Sequence, residues 1–281
     1  MTQSPTNRTI ANREIANRMR TIRITVSYDG TDFAGFQRQA NARSVQQVLE
    51  EALAPIEGRD VIVAGAGRTD SGVHALGQVA SFKLANSIAV DDLKQALNAN
   101  LSAAGSNDVR VLTVEEAADG FNARFSSTAK LYRYRIVGAE VISPFERRFA
   151  WHVPRPLNLE DMRDAARALV GEHDFAAFQS IGNKVTTPIR SITLSEWTET
   201  RLCTNDGRLL VYDIAGTGFL KHMVRAIVGT LVEIGGGRRA AGSMRELLQS
   251  GNRAAAGPTA PPHGLYLVRV DYDPAGPVSF S

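Results

Sequence analysis

Ile22, Ile24 and Val26 alternate with polar neighbours, so residues 21–28 predict a first β-strand. Ser44-Val45-Gln46-Gln47 reads as a capping box opening a helix. Behind it Val45, Val48, Leu49, Leu53 and Ile56 share one face. The apolar run Val61-Ile62-Val63-Ala64 predicts a strand leading into a glycine-rich turn, and alternation through Val79, Ser81 and Leu84 predicts the strand leaving it. Leu93, Leu97 and Leu101 mark a second helix, residues 108–114 a further strand, and this first half closes near residue 117. The scheme then repeats. A strand is predicted over 130–137, and a helix from Asn158 with Leu159, Met162, Ala166 and Leu169 inward and Gly171 as its C-terminal cap. Strands follow at 191–199 and 209–214, then a long helix over about 219–234 that stops at Gly235-Gly236-Gly237. Ser243-Met244-Arg245-Glu246 reads as another capping box, and 264–272 as a final strand. Two β-rich halves with helices laid on them imply an α+β class built on antiparallel sheets. Without a low-complexity linker, the halves are expected to pack together with the active-site cleft between them.

Composition changes this picture little. At 281 residues and 43% hydrophobic, the chain is long enough for two packed halves. No apolar run reaches the ~18 residues that span a bilayer, and the N-terminus has no signal-peptide pattern. A single cysteine, Cys203, excludes an internal disulfide; it reads as inert and fits a cytoplasmic protein. The net charge of +3 suggests a nucleic-acid partner more strongly than it should. Arg8, Arg13, Arg18 and Arg20 against Glu14 account for all of it, so the rest of the chain is balanced. Residues 1–20 are polar and aperiodic and predict a disordered basic tail. The expected organisation is therefore a tail over 1–20, an N-terminal half over 21–117 and a C-terminal half over 118–281.

The chemistry is concentrated at Gly65-Ala66-Gly67-Arg68-Thr69-Asp70-Ser71-Gly72-Val73-His74-Ala75. Three glycines within eight residues permit a tight turn, and none of that requires a charged pair at the crest. Asp70 is therefore the leading catalytic candidate, although a hairpin turn with a solvated aspartate is the plain alternative for the turn alone. A dinucleotide fingerprint fails because position 70 is Asp. A phosphate-binding loop fails because Val73-His74 follow Gly72 where Lys-Ser or Lys-Thr is needed.

The turn resembles the Gly-Arg-Thr-Asp-(Ala)-Gly-Val-His-Ala signature of the bacterial tRNA pseudouridine synthase A family, with Ser71 where alanine is usual. Four further blocks are similar to that family and stand in its order. They are Tyr28-Asp29-Gly30-Thr31 with Gly35-Phe36-Gln37, and His173-Asp174-Phe175 with Pro188-Ile189-Arg190. Gly216-Thr217-Gly218-Phe219-Leu220 running to Met223-Val224-Arg225 is the third, and Ala260-Pro261-Pro262-His263-Gly264-Leu265-Tyr266-Leu267 the fourth. The resemblance runs from about Ile22 to Leu267. It implies the pseudouridine synthase fold and isomerisation of uridine in the anticodon stem-loop of tRNA, at positions 38–40. It also implies a homodimer, with one RNA spanning both subunits.

Isomerisation must break the N-glycosidic bond, turn the base and rejoin it through C5, which calls for a carboxylate and a base but neither a metal nor a redox cofactor. The resemblance makes Asp70 the essential carboxylate. Attack on the sugar, attack on the base and assistance to elimination all remain open. An ionised carboxylate in a closed pocket needs a cation, because desolvation favours the neutral acid. The resemblance assigns that role to Arg225, which stands among Phe219, Leu220, Met223, Val224 and Ile227. Alternation puts Tyr132, Tyr134 and Ile136 on one strand face and Arg133 and Arg135 on the other. On the pattern alone both tyrosines read as core, and Tyr134 is expected there; the resemblance sets Tyr132 against the target uracil. Arg68 is expected to fill the gap left when the nucleotide leaves the stack. His74 suits either phosphate contact or turn packing, and His152, His173, His222 and His263 have no metal-ligand spacing. Two other classes compete with the isomerase. An inert RNA-binding module would not need Asp70 with Arg225, and a carboxylate-dependent nucleosidase would want a second carboxylate that the turn lacks.

Overall fold

A computed structural model of the chain describes residues 19–180, 187–202 and 207–272. Residues 1–18, most of the expected tail, and Cys203 lie outside the described residues. The chain divides into two compact units, Met1–Thr69 with Ala75–Ser127 and Asp70–His74 with Thr128–Ser281. The change of unit after Ser127, rather than near residue 117, has a local cause. Loop 118–127 is tied back to the first unit by the Ala123 amide, which donates to Ser81 Oγ at 3.0 Å, and by the Arg23 guanidinium over the Phe121 ring.

In the first unit β1 (Arg20–Tyr28) lies between β4 (Val109–Ala117) and β3 (His74–Leu84), antiparallel to both, and β2 (Ala64–Gly65) pairs with β3. Ile22, Ile24 and Val26 are fully buried, as their alternation predicts. Helix α1 (Val45–Glu57) is capped by Ser44, whose Oγ accepts from the Gln47 amide at 3.3 Å. The Gln47 side chain turns outward to Glu51, so only half of the capping box forms. Leu93, Leu97 and Leu101 of α2 (Val90–Ala103) are buried, and Asn98 ties that helix to both polar groups of Val111 on β4. The predicted strand at 61–64 shrinks to Ala64–Gly65, because Ile62 points into solvent at 83% exposure and the segment is irregular.

The second unit carries the strand order β10-β5-β9-β8-β7, with β6 (Trp151–His152) parallel to β5. These strands are β5 (Ala129–Gly138), β7 (Gly171–Asp174), β8 (Ile189–Arg201), β9 (Arg208–Gly216) and β10 (Leu265–Asp271), and their neighbours in that order run antiparallel. The class is α+β on antiparallel sheets. Helix α3 (Leu159–Arg167) begins at the Asn158 cap, but it ends before Gly171, which starts β7 at φ +113° instead of capping the helix. Helix α5 (Ser243–Ser250) shows no capping box: the Ser243 hydroxyl donates to Ala240 O at 2.7 Å and is the helix's own first residue.

Helix α4 (Met223–Gly235) is buried along nearly its whole length and is therefore a core element. Its packing is close enough that a Cβ on Gly229 would lie 1.7 Å from the Pro258 carbonyl oxygen. It starts four residues later than the hydrophobic pattern predicts. The Met223 amide closes a turn onto Leu220 O at 3.1 Å and His222 adopts a left-handed conformation, φ 62° and ψ 3°, so residues 219–222 cannot extend the helix.

Candidate active site

The turn bearing Asp70 is held from within the first unit up to Thr69. The Thr69 carbonyl accepts from the Phe36 amide at 3.2 Å, and Gln78 Nε2 donates to Gly67 O at 3.0 Å. Tyr28 and Thr69 share a buried hydroxyl–hydroxyl bond of 2.8 Å, and burial pushes the Tyr28 phenol up to about 12. Beyond Asp70 the turn closes through the Val73 amide onto Asp70 O at 3.1 Å, with Gly72 at φ +77°. The left-handed conformation and the Pro262 ring, 2.9 Å from where a Cβ would stand, both require glycine at position 72.

His74, at 1% exposure, is a packing residue. Its ring stacks on Tyr266 with centroids 4.9 Å apart, and Nε2 lies 3.0 Å from Arg148 O and 3.2 Å from His263 O. Two carbonyl acceptors at one nitrogen mean that Nε2 carries the proton.

Asp70 and Arg225 meet across 155 residues of sequence: Arg225 Nη1 donates to Asp70 Oδ2 at 3.1 Å. The same guanidinium donates through Nε to Ala260 O at 2.8 Å, and the Ala260 amide returns a bond of 3.0 Å to Arg225 O. The pair is mostly buried, with side-chain exposures of 14% for Arg225 and 23% for Asp70. Oδ2 has a second neighbour that the sequence reasoning missed, His222 Nε2 at 3.6 Å. Burial pulls the His222 imidazole below its ordinary value of 6.5; nearby Asp70 opposes that shift, while Arg225, Lys221 and Arg253 reinforce it. The available signal was its place between Leu220 and Met223, three residues before Arg225 in the stretch that runs from Gly216 to Arg225.

Tyr132 is buried on β5, its ring edge-on to Phe219 at 5.1 Å, which sets it beside the segment leading into α4. Tyr134 is a core residue, fully buried and donating to Pro261 O at 2.8 Å. Arg68 is exposed on the first unit and makes no hydrogen bond or ion pair among the described residues. Among the described residues no group of three His, Cys, Asp or Glu side chains is arranged to hold a metal ion, and no helix is long and apolar enough to cross a membrane.

An α+β chain that pairs one carboxylate on a glycine turn with an arginine from a core helix, in the unit that also carries a tyrosine on β5, defines a narrow class. A family model described as tRNA pseudouridine synthase matches residues 24–126 and 165–273. The tRNA pseudouridine synthase A of Geobacter sulfurreducens is 44% identical over 90% of this chain and 100% of its own length. Those of Limosilactobacillus fermentum and Sinorhizobium medicae are 45% and 42% identical, over 91% and 89% of this chain and 97% and 98% of theirs. The chain belongs to the tRNA pseudouridine synthase family.

Proposed function

We propose that this chain isomerises uridine to pseudouridine at positions 38–40 of the tRNA anticodon stem-loop, with Asp70 as the catalytic carboxylate. Membership of the family makes it an RNA-modifying isomerase. The observation that carries the finer assignment is the 3.1 Å contact that fixes Asp70 Oδ2 on Arg225. It holds the carboxylate in a mostly buried place, oriented and without competing protein partners at Oδ1 among the described residues.

The reaction is an internal exchange. The N1–C1′ bond breaks and a C5–C1′ bond forms; C5 gives up its proton and N1 ends with one, so nothing is gained or lost. Asp70 supplies the carboxylate that engages the nucleotide, and Arg225 keeps it aimed through the 3.1 Å contact. Tyr132 packs against the extruded uracil, and Arg68 occupies the vacated space in the RNA stack. The working form is a cytoplasmic homodimer on one tRNA.

Tritium release from unmodified tRNA carrying [5-³H]uridine tests this. Forming the carbon–carbon glycosidic bond must expel that hydrogen, whereas binding or glycosidic hydrolysis leaves it in place. Release confined to tRNAs with uridine at 38–40 is expected, and Asp70→Asn should abolish it while binding tRNA at least as tightly as the parent. Wild-type release by Asp70→Asn would remove Asp70 from the mechanism, and release without dependence on 38–40 would remove the site assignment.

A further inference from the structure

His222 combines three features that occur together at no other described residue. Among the described residues it is the non-glycine residue at positive φ, a conformation in which a histidine is strained and a glycine is not. Its ring is pinned, with Nδ1 2.6 Å from Ser180 Oγ. Its other nitrogen, Nε2, faces Asp70 Oδ2 at 3.6 Å, the same oxygen that Arg225 holds.

The proton positions follow from what faces each ring nitrogen. Ser180 has one hydroxyl proton and two candidate acceptors, His222 Nδ1 at 2.6 Å and Lys221 O at 3.3 Å. Lys221 O can accept both the Ser180 amide and its hydroxyl, but the Asp70 carboxylate facing Nε2 can only accept, which favours the ring proton on Nε2 and the Ser180 hydroxyl donating to Nδ1. Nδ1 is then the acceptor, and in the neutral ring Nε2–H points at Asp70. At 3.6 Å this is an electrostatic contact in the free protein, one that a small rotation of the carboxylate closes to a hydrogen bond.

We propose that His222 is a positioning residue for the reaction: fixed by Ser180, its Nε2–H acts with Arg225 to hold Oδ2 of Asp70 and leaves Oδ1 as the reacting oxygen. This rests on the reading of Asp70 as the catalytic carboxylate. The arrangement also makes the site responsive to acid. The charged groups facing His222 are Asp70 on the turn, Lys221 beside it, Arg225 on α4 and Arg253 beyond α5. Burial, reinforced by these three cations, outweighs Asp70, so the ring stays neutral through neutral pH. Once protonated, it pairs with Asp70 as a cation and withdraws the carboxylate from reaction. The rate should therefore fall on the acid side, below the ordinary histidine value of 6.5.

The experiment compares His222→Gly, His222→Ala, His222→Gln and Ser180→Ala by single-turnover tritium release across pH, with tRNA affinity and thermal unfolding measured in parallel. His222→Gly relieves the left-handed strain, so it should be as stable as the parent or more so, yet about 10- to 100-fold slower, the scale of losing an outer partner of a reacting group. His222→Ala should be as slow, with tRNA affinity within about twofold of the parent. His222→Gln returns an N–H near Nε2 and should recover most of the rate while losing the acid limb attributed to the imidazole. Ser180→Ala should slow the step less and move the acid limb. Parental rates and acid limb in His222→Gly overturn the proposal, as does His222→Gln being no faster than His222→Gly. If Asp70→Asn is inactive while the His222 variants behave as the parent, only this inference fails. If Asp70→Asn is active, the assignment beneath it fails.

Discussion

Replacing Arg225 asks whether the ion pair is held by charge alone or by the shape of the guanidinium. Arg225 spans two acceptors, Ala260 O from Nε at 2.8 Å and Asp70 Oδ2 from Nη1 at 3.1 Å. The planar fork satisfies both at once, whereas the compact ammonium of lysine cannot reproduce that geometry. Arg225→Lys therefore loses one charge-assisted bond, worth about 1.5–3 kcal/mol. Either Asp70 is released, or the Ala260 carbonyl, on a residue only 2% exposed, is orphaned. Arg225→Met removes both bonds and leaves Asp70 beside the imidazole alone. Breaking a fully buried pair costs about 3–5 kcal/mol; with Asp70 23% exposed, screening brings the expectation to about 2–3 kcal/mol. In rate, that loss corresponds to about 30- to 150-fold if it falls wholly on the transition state. The assay is urea unfolding of Arg225→Met, Asp70→Asn and the double variant, with single-turnover tritium release on each. A coupling energy of about 1–2 kcal/mol is expected between the two sites. Additivity within about 0.3 kcal/mol would refute the pairing as an energetic fact, and parental activity in Arg225→Lys would refute the need for the fork.

Three further outcomes are expected. Tyr132→Phe keeps the ring packed against Phe219, so stability should be unchanged; if the hydroxyl moves a proton at C5, turnover falls by about 10²-fold or more, and parental turnover would reduce Tyr132 to a packing surface. Gly229→Ala forces a methyl into the Pro258 carbonyl and should lower unfolding stability by about 3 kcal/mol; an unchanged urea midpoint would mean that the α4 packing is not as close as described. Removing residues 1–18, which include Arg8, Arg13 and Arg18, should leave turnover intact and make the salt dependence of tRNA binding shallower, and loss of catalysis in the folded truncation would contradict this.

How much was legible in the sequence depended on whether the cause was local. β1, α1 and α2 were readable because alternation and helical spacing record which face is buried, and Ile22, Ile24, Leu93 and Leu97 are buried accordingly. The start of α4 was not readable. Phe219 and Leu220 continue its apolar pattern, but Ser180, 42 residues earlier, fixes the His222 ring and the chain turns left-handed there. The box at Ser243 misled for a similar reason, since its hydroxyl turns back to Ala240 instead of forward to the Glu246 amide. Of the site, Asp70 was visible as a charge that its turn did not need. No spacing rule connects it to Arg225, and only the family resemblance placed them together. His222 was passed over because it has no metal-ligand spacing with the other histidines.

The four residues Ala260-Pro261-Pro262-His263 tie the dispersed parts of this site together. Ala260 O anchors Arg225, and Pro261 O takes the Tyr134 hydroxyl, two residues from Tyr132. The Pro262 ring seats Gly72, and His263 O takes the His74 ring, so this segment grips the Asp70 turn at both points. Carbonyls are the natural anchors here: each accepts with a fixed direction, and the two prolines restrict the backbone that presents them while adding no amide of their own that would need a partner. Nearby, Gly257 donates its amide to Thr230 Oγ1 on α4 at 2.9 Å, tying the start of the same loop to the helix that carries Arg225. The carboxylate, its cation and the tyrosine strand thus share one support of consecutive residues. Substitutions in that support are therefore expected to alter their mutual distances together and to slow the proposed reaction without removing a reacting atom.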